Sequence, residues 1–548
     1  MDIRQINQDV SITGQIHNED VALLKDQGFR TLVCNRPDGE ALEQTPSADI
    51  AKAAEACGMN FYYLPITPGS TDAITIDAFR AIPDNEKPLL AYCRTGNRSS
   101  TLWALSQLNQ QSTQTIVAAV KGVGFDFVAP MDKADANTQA NVKGSEYDVV
   151  VVGGGAAGIS TAASLKKRNP ALEIAIIEPK EDHYYQPGWT MVGAGVFRAA
   201  QTARKTVDLI PSEVTWIRDA VTSFAPDNNQ VTLSDGTGVN YRALIVAPGL
   251  KLDWSAIEGL SETLGQNGVT SNYQFEHAPY TWELVQKMKN GRAVFTQPPM
   301  PIKCAGAPQK ALYLSCSHWE KKNYLQNIDV TFANAGGVLF GVEHYVPALQ
   351  NYIDRYGVNL DFNRNLVAVD GVAGKAYFSG PDENNNKEVE FDFLHVCPPQ
   401  IAPDFVRNSS LANEAGWVDV DQHTLQHVVF ENVFSLGDAG STPNAKTAAA
   451  VRQQAPVVAE NLLAHLADQP LVHTYNGYGS CPLTVEHGKI VLAEFGYQAK
   501  LLPSLPKWII NGDKPSRLSW FLKKSMLPPI YFDLMLKGRE WLARPKTL

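Results

Sequence analysis

Several things are missing from this 548-residue chain, and each absence removes a class of function. It has no apolar run long enough to cross a bilayer as a helix, and the uncharged stretch Val149 to Leu165 is broken by a glycine turn. Positive charge is not in excess: 47 Lys and Arg stand against 57 Asp and Glu, and a net charge of −10 argues against nucleic acid as a partner. Cysteine is sparse, with seven residues, an odd count without scaffold spacing, and no secretory leader is evident. Such cysteines are expected in a reducing compartment, as chemical groups rather than staples. No metal is expected at any site. At this length two to four domains are expected, each burying its own core.

What is present is organised around Tyr147-Asp148-Val149-Val150-Val151-Val152-Gly153-Gly154-Gly155-Ala156-Ala157-Gly158. Four valines read as a buried strand, and the glycines as a tight turn into a helix. Gly153, Gly155 and Gly158 fit G-x-G-x-x-G, in which turn, pyrophosphate approach and helix–strand contact each require a missing Cβ. Glu178 ends the apolar run Ile174-Ala175-Ile176-Ile177, twenty residues past Gly158, where a carboxylate can accept from ribose hydroxyls. Tyr241 to Gly249 reads as a second buried strand ending in a turn. Asn432-Val433-Phe434-Ser435-Leu436-Gly437-Asp438 resembles the element whose aspartate holds the ribityl chain of FAD. Three such elements in this order make FAD the expected cofactor.

Upstream, residues 1–131 alternate short apolar strands with helical patterns. Leu89-Leu90-Ala91-Tyr92 runs into Cys93-Arg94-Thr95-Gly96-Asn97-Arg98-Ser99-Ser100, which places a cysteine where backbone N–H groups converge at a helix start. The segment resembles the beta-lactamase-hydrolase-like phosphatase family through Ile12-Thr13-Gly14-Gln15, Cys34-Asn35-Arg36-Pro37-Asp38-Gly39-Glu40 and this loop. Cys93 and Arg98 enclose four residues, one fewer than in working tyrosine phosphatases and the length found in rhodanese-type sulfurtransferases. Phe61 to Ser70, where those phosphatases keep a general acid, has no carboxylate. Sulfur transfer at Cys93, assisted by Arg98, is therefore expected over phosphate hydrolysis. Residues 132–146 read as a linker.

Flavoprotein reductases carry a second glycine fingerprint for a nicotinamide dinucleotide. Here the strand Arg292-Ala293-Val294-Phe295-Thr296 leads instead into Gln297-Pro298-Pro299-Met300-Pro301-Ile302-Lys303-Cys304, with Lys310 six residues further on. Prolines remove the amides that a pyrophosphate cradle needs. A cysteine between lysines takes the place of that cradle.

Residues from 147 onward resemble the sulfide:quinone oxidoreductases of the eukaryote-like type. The resemblance rests on Tyr185-Gln186-Pro187, Pro301 to Lys310, Ala415 to Asp421, Lys446 to Ala450 and Ser480-Cys481-Pro482-Leu483. It implies that Cys304 takes up sulfide sulfur, that FAD accepts two electrons and that a membrane quinone removes them. It also implies that Gly155, Ala156, Glu178, Gln186, Val221 and Asp438 hold FAD, with Lys446 near the flavin ring. The family's second redox cysteine falls at Ala439 in this chain. Cys397 is the favoured substitute, with two other routes open: oxidised sulfur received from Cys93, or Cys304 working alone with the flavin. Cys316 and Cys481, assigned to a helix and a loop, are expected to be structural.

From Lys500 onward, basic residues interleave with Trp508, Trp520, Phe521 and Trp541, and Ile530, Leu534 and Trp541 fall on one helical stripe. This reads as an interfacial membrane anchor. The expected fold is α/β: a phosphatase-like domain (1–131), an FAD-binding domain (147–264 and 401–470), an NAD-binding-like domain carrying Cys304 (265–400) and a membrane-association region (471–548). The expected partners are sulfide or a persulfide, a quinone, a sulfur acceptor (sulfite or a small thiol), the inner, cytoplasmic membrane surface and a possible second copy. Two rival readings are a type II NADH dehydrogenase-like quinone reductase and a flavin or persulfide sensor.

Overall fold

The structure, a computed structural model, describes residues 1–41, 44–66, 73–107, 113–125 and 146–547. The linker expected over 132–146 lies outside the described residues except for Glu146, which opens a strand. Two compact units divide between Ala140 and Asn141.

The first unit holds a five-stranded sheet in the order Arg4–Gln5, Val10–Thr13, Leu89–Tyr92, Thr31–Cys34, Asn60–Tyr63. All pairs are parallel except the first. Both faces are covered, so the central strand is apolar at every position. Leu89 and Ala91 point into one buried cluster with Ile12 and Trp103, and Leu90 and Tyr92 into another with Leu24 and Ile50. Alternate side chains of one strand thereby serve two helical layers. The helix Asn97–Gln107 starts four residues after Cys93, so that cysteine stands at a strand-to-helix junction.

In the second unit a seven-stranded sheet runs Thr215–Ile217, Ile174–Ile177, Glu146–Val152, Gly238–Val246, Gln230–Leu233, Val221–Ala225, with Val433–Ser435 also paired to Gly238–Val246. Val149 and Val151 face one core while Val150 and Val152 face the other. A second sheet is wholly parallel, in the order Val269–Thr270, Phe393–His395, Gly291–Gln297, Ile328–Asn334, Asn359–Phe362. The antiparallel hairpin Gly479–Glu486 with Lys489–Phe495 packs its inward residues Cys481, Leu483 and Val485 on the helix Ala307–Lys321. Cys481 thus lies in a strand, not a loop.

The tail does not form the helical stripe expected of Ile530, Leu534 and Trp541. Past Arg517–Phe521 the backbone runs through two π-helical stretches, Leu522–Met526 and Ile530–Leu534, and turns left-handed at Gly538 (φ 61°). Trp541 lies beyond that turn, so it cannot continue the stripe of Ile530 and Leu534. Tyr531, Phe532, Met535 and Leu536 are instead buried in the core of the first large sheet. Glu540 pairs with Arg168 at 2.6 Å. The exposed apolar residues lie on either side of this segment: Trp508 (84% exposed), Ile509, Leu518, Phe521 and Met526 before it, and Trp541 and Leu542 after it. Trp520 is half-buried against His487.

Candidate active site: a thiolate between two sheets

The three dinucleotide elements meet as adjacent parallel strands whose ends are in register: Val246 lies opposite Val152 on one side and Ser435 on the other. Gly153, Ala247-Pro248-Gly249 and Leu436-Gly437-Asp438 therefore leave the sheet together at the carboxyl edge, where doubly wound sheets bind ligands. A Cβ on Gly153 (φ 106°) would sit 2.4 Å from the Ala247 carbonyl, and one on Gly158 would sit 1.9 Å from the Gly153 carbonyl. In front of Gly155 a Cβ would meet nothing within 4 Å. Two glycines thus close the turn and the third leaves room for a phosphate, with Ala156 opening the helix behind it. Glu178 accepts from the Gly154 amide at 2.8 Å and from the Lys180 amide at 2.8 Å, which fixes its carboxylate beside the turn. The donor set fits the expected dinucleotide. Val221 is buried at the start of its strand in the cluster that includes Val152 and Val246.

At the carboxyl edge of the second sheet, the strand Gly291–Gln297 leads to Cys304. This residue is left-handed (φ 53°), a conformation costly for a side chain bearing Cβ. Its N–H donates to the Lys446 carbonyl at 2.8 Å, and its carbonyl accepts from the Ala307 amide at 2.7 Å, so both neighbours hold it. The Lys303 amide donates to Gln400 Oε1 at 2.6 Å and the Lys303 ammonium to Gln186 Oε1 at 2.6 Å. Gln186 is thereby brought from the aromatic loop of the first sheet to the cysteine of the second. Lys446 spans the same junction: its Nζ donates to the carbonyls of Asp438 and Gly440, and it lies 4.1 Å from the Trp417 ring centre. Burial pulls both Lys303 and Lys446 down to about 8, and burial pushes the Asp438 carboxyl up.

The Cys304 sulfur accepts from the buried Lys310 ammonium at 2.9 Å. Cys481 lies in the buried cluster against which Cys304 packs, and its thiol, ahead of Lys310, is the influence that holds Cys304 well below the ordinary thiol range. Cys481 is pushed well above that range, first by Cys304 and then by burial. Lys523, 4% exposed, donates to the Pro482 carbonyl at 3.3 Å and faces both sulfurs. Neither Cys481 nor Lys523 is legible in the sequence as a site residue: one reads as a structural thiol, the other as part of a basic tail. The strand alternation that sends Cys481, Leu483 and Val485 inward is the available signal.

Cys397 ends the strand Phe393–His395, with its amide donating to Thr296 Oγ1 at 3.1 Å. It shares an apolar cluster with Tyr273 and Ile302 against which Cys304 packs, and burial raises its thiol to about 12. Ala439 is fully buried in a different cluster. Cys316 is buried within the helix Ala307–Lys321.

In the first unit Cys93 is 1% exposed, and the Gly96 amide donates to its sulfur at 3.1 Å. Arg98 is raised in pKa chiefly by Glu40, which it grips in a bidentate pair at 2.6 and 2.8 Å, and also by the charge of Cys93. Arg36 also bonds Glu40, at 3.0 Å; Arg98 first, then Arg36, holds this carboxyl at about 2. Glu40 is a site residue that no local pattern singles out. The upstream stretch expected to lack an acid is described only as far as Ile66.

Residues 2–110 match the family model described as "Beta-lactamase hydrolase-like protein, phosphatase-like domain", and residues 147–285 match "Pyridine nucleotide-disulphide oxidoreductase". The chain is 43% identical over 400 residues to the mitochondrial sulfide:quinone oxidoreductase of Dictyostelium discoideum, and 40% identical over 395 residues to that of Mus musculus. Each match covers 72% of this chain and 87% of the relative. The crystal structure of the sulfide:quinone oxidoreductase from Aquifex aeolicus superposes with a TM-score of 0.61 at 20% identity, over 72% of this chain and 92% of that one. At that identity the likeness speaks for the fold.

Proposed function

Because the chain belongs to the sulfide:quinone oxidoreductase family, fused to a beta-lactamase-hydrolase-like unit, we propose how its own residues divide the work of oxidising sulfide and passing electrons to quinone. The chain is a flavoprotein oxidoreductase. FAD is the flavin assigned here, and when bound it supplies a two-electron acceptor. Gly153, Gly155, Ala156 and Gly158 would receive its pyrophosphate, Glu178 its ribose, and Gln186, Val221, Asp438 and Lys446 the remainder. Cys304 is the residue that carries sulfide sulfur, as a persulfide. The observation carrying this reading is the Lys310 ammonium 2.9 Å from the Cys304 sulfur, which stabilises an anionic thiolate or persulfide there. Lys303 and Lys446 add positive charge around the same point and draw in hydrosulfide.

The outer sulfur then passes to sulfite, to a small thiol or to Cys93. A phosphoryl group at Cys93 would have to displace Glu40 from Arg98, whereas a single sulfur atom needs only the Gly96 amide and the Arg98 contact already in place. This supports sulfur transfer over hydrolysis. Among the described residues no helix is long and apolar enough to cross a membrane. Quinone is reached by peripheral attachment to the inner membrane face through exposed Trp508, Ile509, Leu518 and Phe521, flanked by Lys507, Lys514 and Arg517. Changing Trp508 and Phe521 to Ser is expected to release the protein from anionic liposomes in a flotation assay; full retention would discard this surface.

Anaerobic titration tests the central reading. The yellow protein is expected to bleach with sulfide and recover with a quinone analogue, and Cys304→Ser to lose both responses. Bleaching by NADH with no response to sulfide would overturn it.

A further inference from the structure

Sulfide uptake at Cys304, the proposed function on which this inference rests, requires that the cysteine sulfur first become an electrophile. Half of a disulfide is the simplest such form, and Ala439 offers no sulfur with which to make it. Two other thiols lie near. Cys397 shares the apolar cluster of Tyr273 and Ile302 against which Cys304 also packs; its sulfur lies 3.9 Å from the Gln400 amide nitrogen, and burial keeps its thiol protonated. Cys481 lies in the buried cluster against which Cys304 packs, and each thiol shifts the other's titration, Cys304 downward and Cys481 upward. It reaches that position because the strand Gly479–Glu486 packs against the helix that begins just after Cys304, with Leu483 lying over Gly306.

We propose that Cys481 is the redox partner of Cys304: oxidised, the two sulfurs form a disulfide, and reduced, Cys481 hydrogen-bonds the Cys304 thiolate beside Lys310 and Lys523. The strand that carries Cys481 packs on the helix that begins just after Cys304, which brings the two residues to one cluster, and a disulfide asks for Cα atoms within about 7 Å. The two residues differ as a working dithiol should: Cys304 favours the anion and Cys481 keeps its proton. Backbone bonds to Lys446 and Ala307 hold Cys304 in its left-handed conformation, so its side chain is aimed before any reaction.

The chemistry balances without any further oxidant in the uptake step. Hydrosulfide attacks the sulfur of Cys304, a residue of intermediate burial, in line with the disulfide. The Cys304–Cys481 bond breaks, a new S–S bond forms on Cys304, and the electron pair leaves with Cys481. The hydrosulfide sulfur is oxidised and the Cys481 sulfur reduced. The incoming proton ends on Cys481, and the persulfide remains as an anion facing Lys310. A nucleophilic acceptor then takes the outer sulfur and frees the Cys304 thiolate. Re-forming the disulfide from this thiolate and the Cys481 thiol releases two electrons and one proton, which the family's quinone reduction takes up. Lys523, buried beside Cys481, shields the leaving sulfur from bulk water.

The test is peptide mapping of the full-length protein as purified in air, with free thiols blocked and no reductant present. The expected result is a Cys304 peptide linked to the Cys481 peptide; anaerobic sulfide should dissolve the link and leave one extra sulfur on Cys304. A Cys304–Cys397 link, or Cys304 alkylated as a free thiol, overturns the proposal. Kinetics separate it from the reading beneath it. Cys304→Ser and Cys481→Ser are each expected to slow flavin reduction by sulfide by roughly a hundredfold or more. If Cys304→Ser is inactive while Cys481→Ser keeps its rate, the pair falls and Cys304 stands. If Cys304→Ser keeps its rate, both fall.

Discussion

At the scale of single residues the site depends on one cation placed against one sulfur. Lys310 lies one helical turn into Ala307–Lys321 and is buried, yet its ammonium stays charged because the Cys304 thiolate faces it. Replacing it with Met keeps the packing and removes the charge, so the Cys304 thiol should rise toward its ordinary range. Each unit of that rise lowers the thiolate fraction at neutral pH about tenfold. Alkylation of the Cys304 peptide followed against pH is therefore expected to move to higher pH in Lys310→Met; an unmoved profile would show that Lys310 does not hold the charge. Cys304 with its lysines is readable in the sequence because all three lie within one local stretch. Cys481 and Glu40 are not, since each reaches its sulfur through packing between elements far apart in the chain. Nothing in Ser480-Cys481-Pro482 announces a neighbour.

Among the elements, the glycine strand, its helix and the two later strands that pair beside it are legible because buried parallel strands need unbroken apolar runs and turns need glycine. The tail departs from its expected form for an equally physical reason: a basic, aromatic-rich pattern suits both a membrane face and a helix docked on its own core, and only packing decides. Packing is sealed at Tyr531, whose hydroxyl donates to His183 Nε2 at 2.7 Å while His183 Nδ1 donates to the Gly154 carbonyl at 3.2 Å. The tail is thereby tied to the dinucleotide turn. Burial, only partly offset by the Gly154 bond, pulls His183 down from 6.5 to about 4. An imidazole depressed in the folded state contributes stability that is present above pH 6.5 and lost as pH falls toward 4, because the unfolded chain binds the proton first. The loss amounts to about 3 kcal/mol across that window. Urea denaturation between those limits is expected to show a shallower pH dependence in His183→Gln than in the parent, and equal slopes would exclude this linkage.

For the whole molecule, the question is why an oxidase of sulfide should be joined to a second thiol domain. On the reading proposed above, a persulfide on Cys304 would be reactive and would have to be unloaded before the next turnover. A tethered acceptor would meet it at an effective concentration on the order of millimolar, whatever the protein's own concentration. Both thiols have the surroundings that such a relay needs: a cation on each sulfur, Lys310 on Cys304 and Arg98 on Cys93, and a backbone amide, that of Gly96, at the receiving one. The two domains are legible as separate units in the sequence, because each has its own alternation of buried strands, whereas the proposed hand-over of sulfur between them rests on chemistry that no periodicity encodes. If the relay operates, persulfide loaded on Cys304 by sulfide should appear on Cys93 at a first-order rate that is unchanged when the protein is diluted. Cys93→Ser should abolish the second signal and leave the sulfur on Cys304 until an external acceptor is added. A rate of transfer that falls in proportion to dilution would mean that the sulfur travels between molecules, and the fusion would then have to be explained by something other than sulfur hand-over.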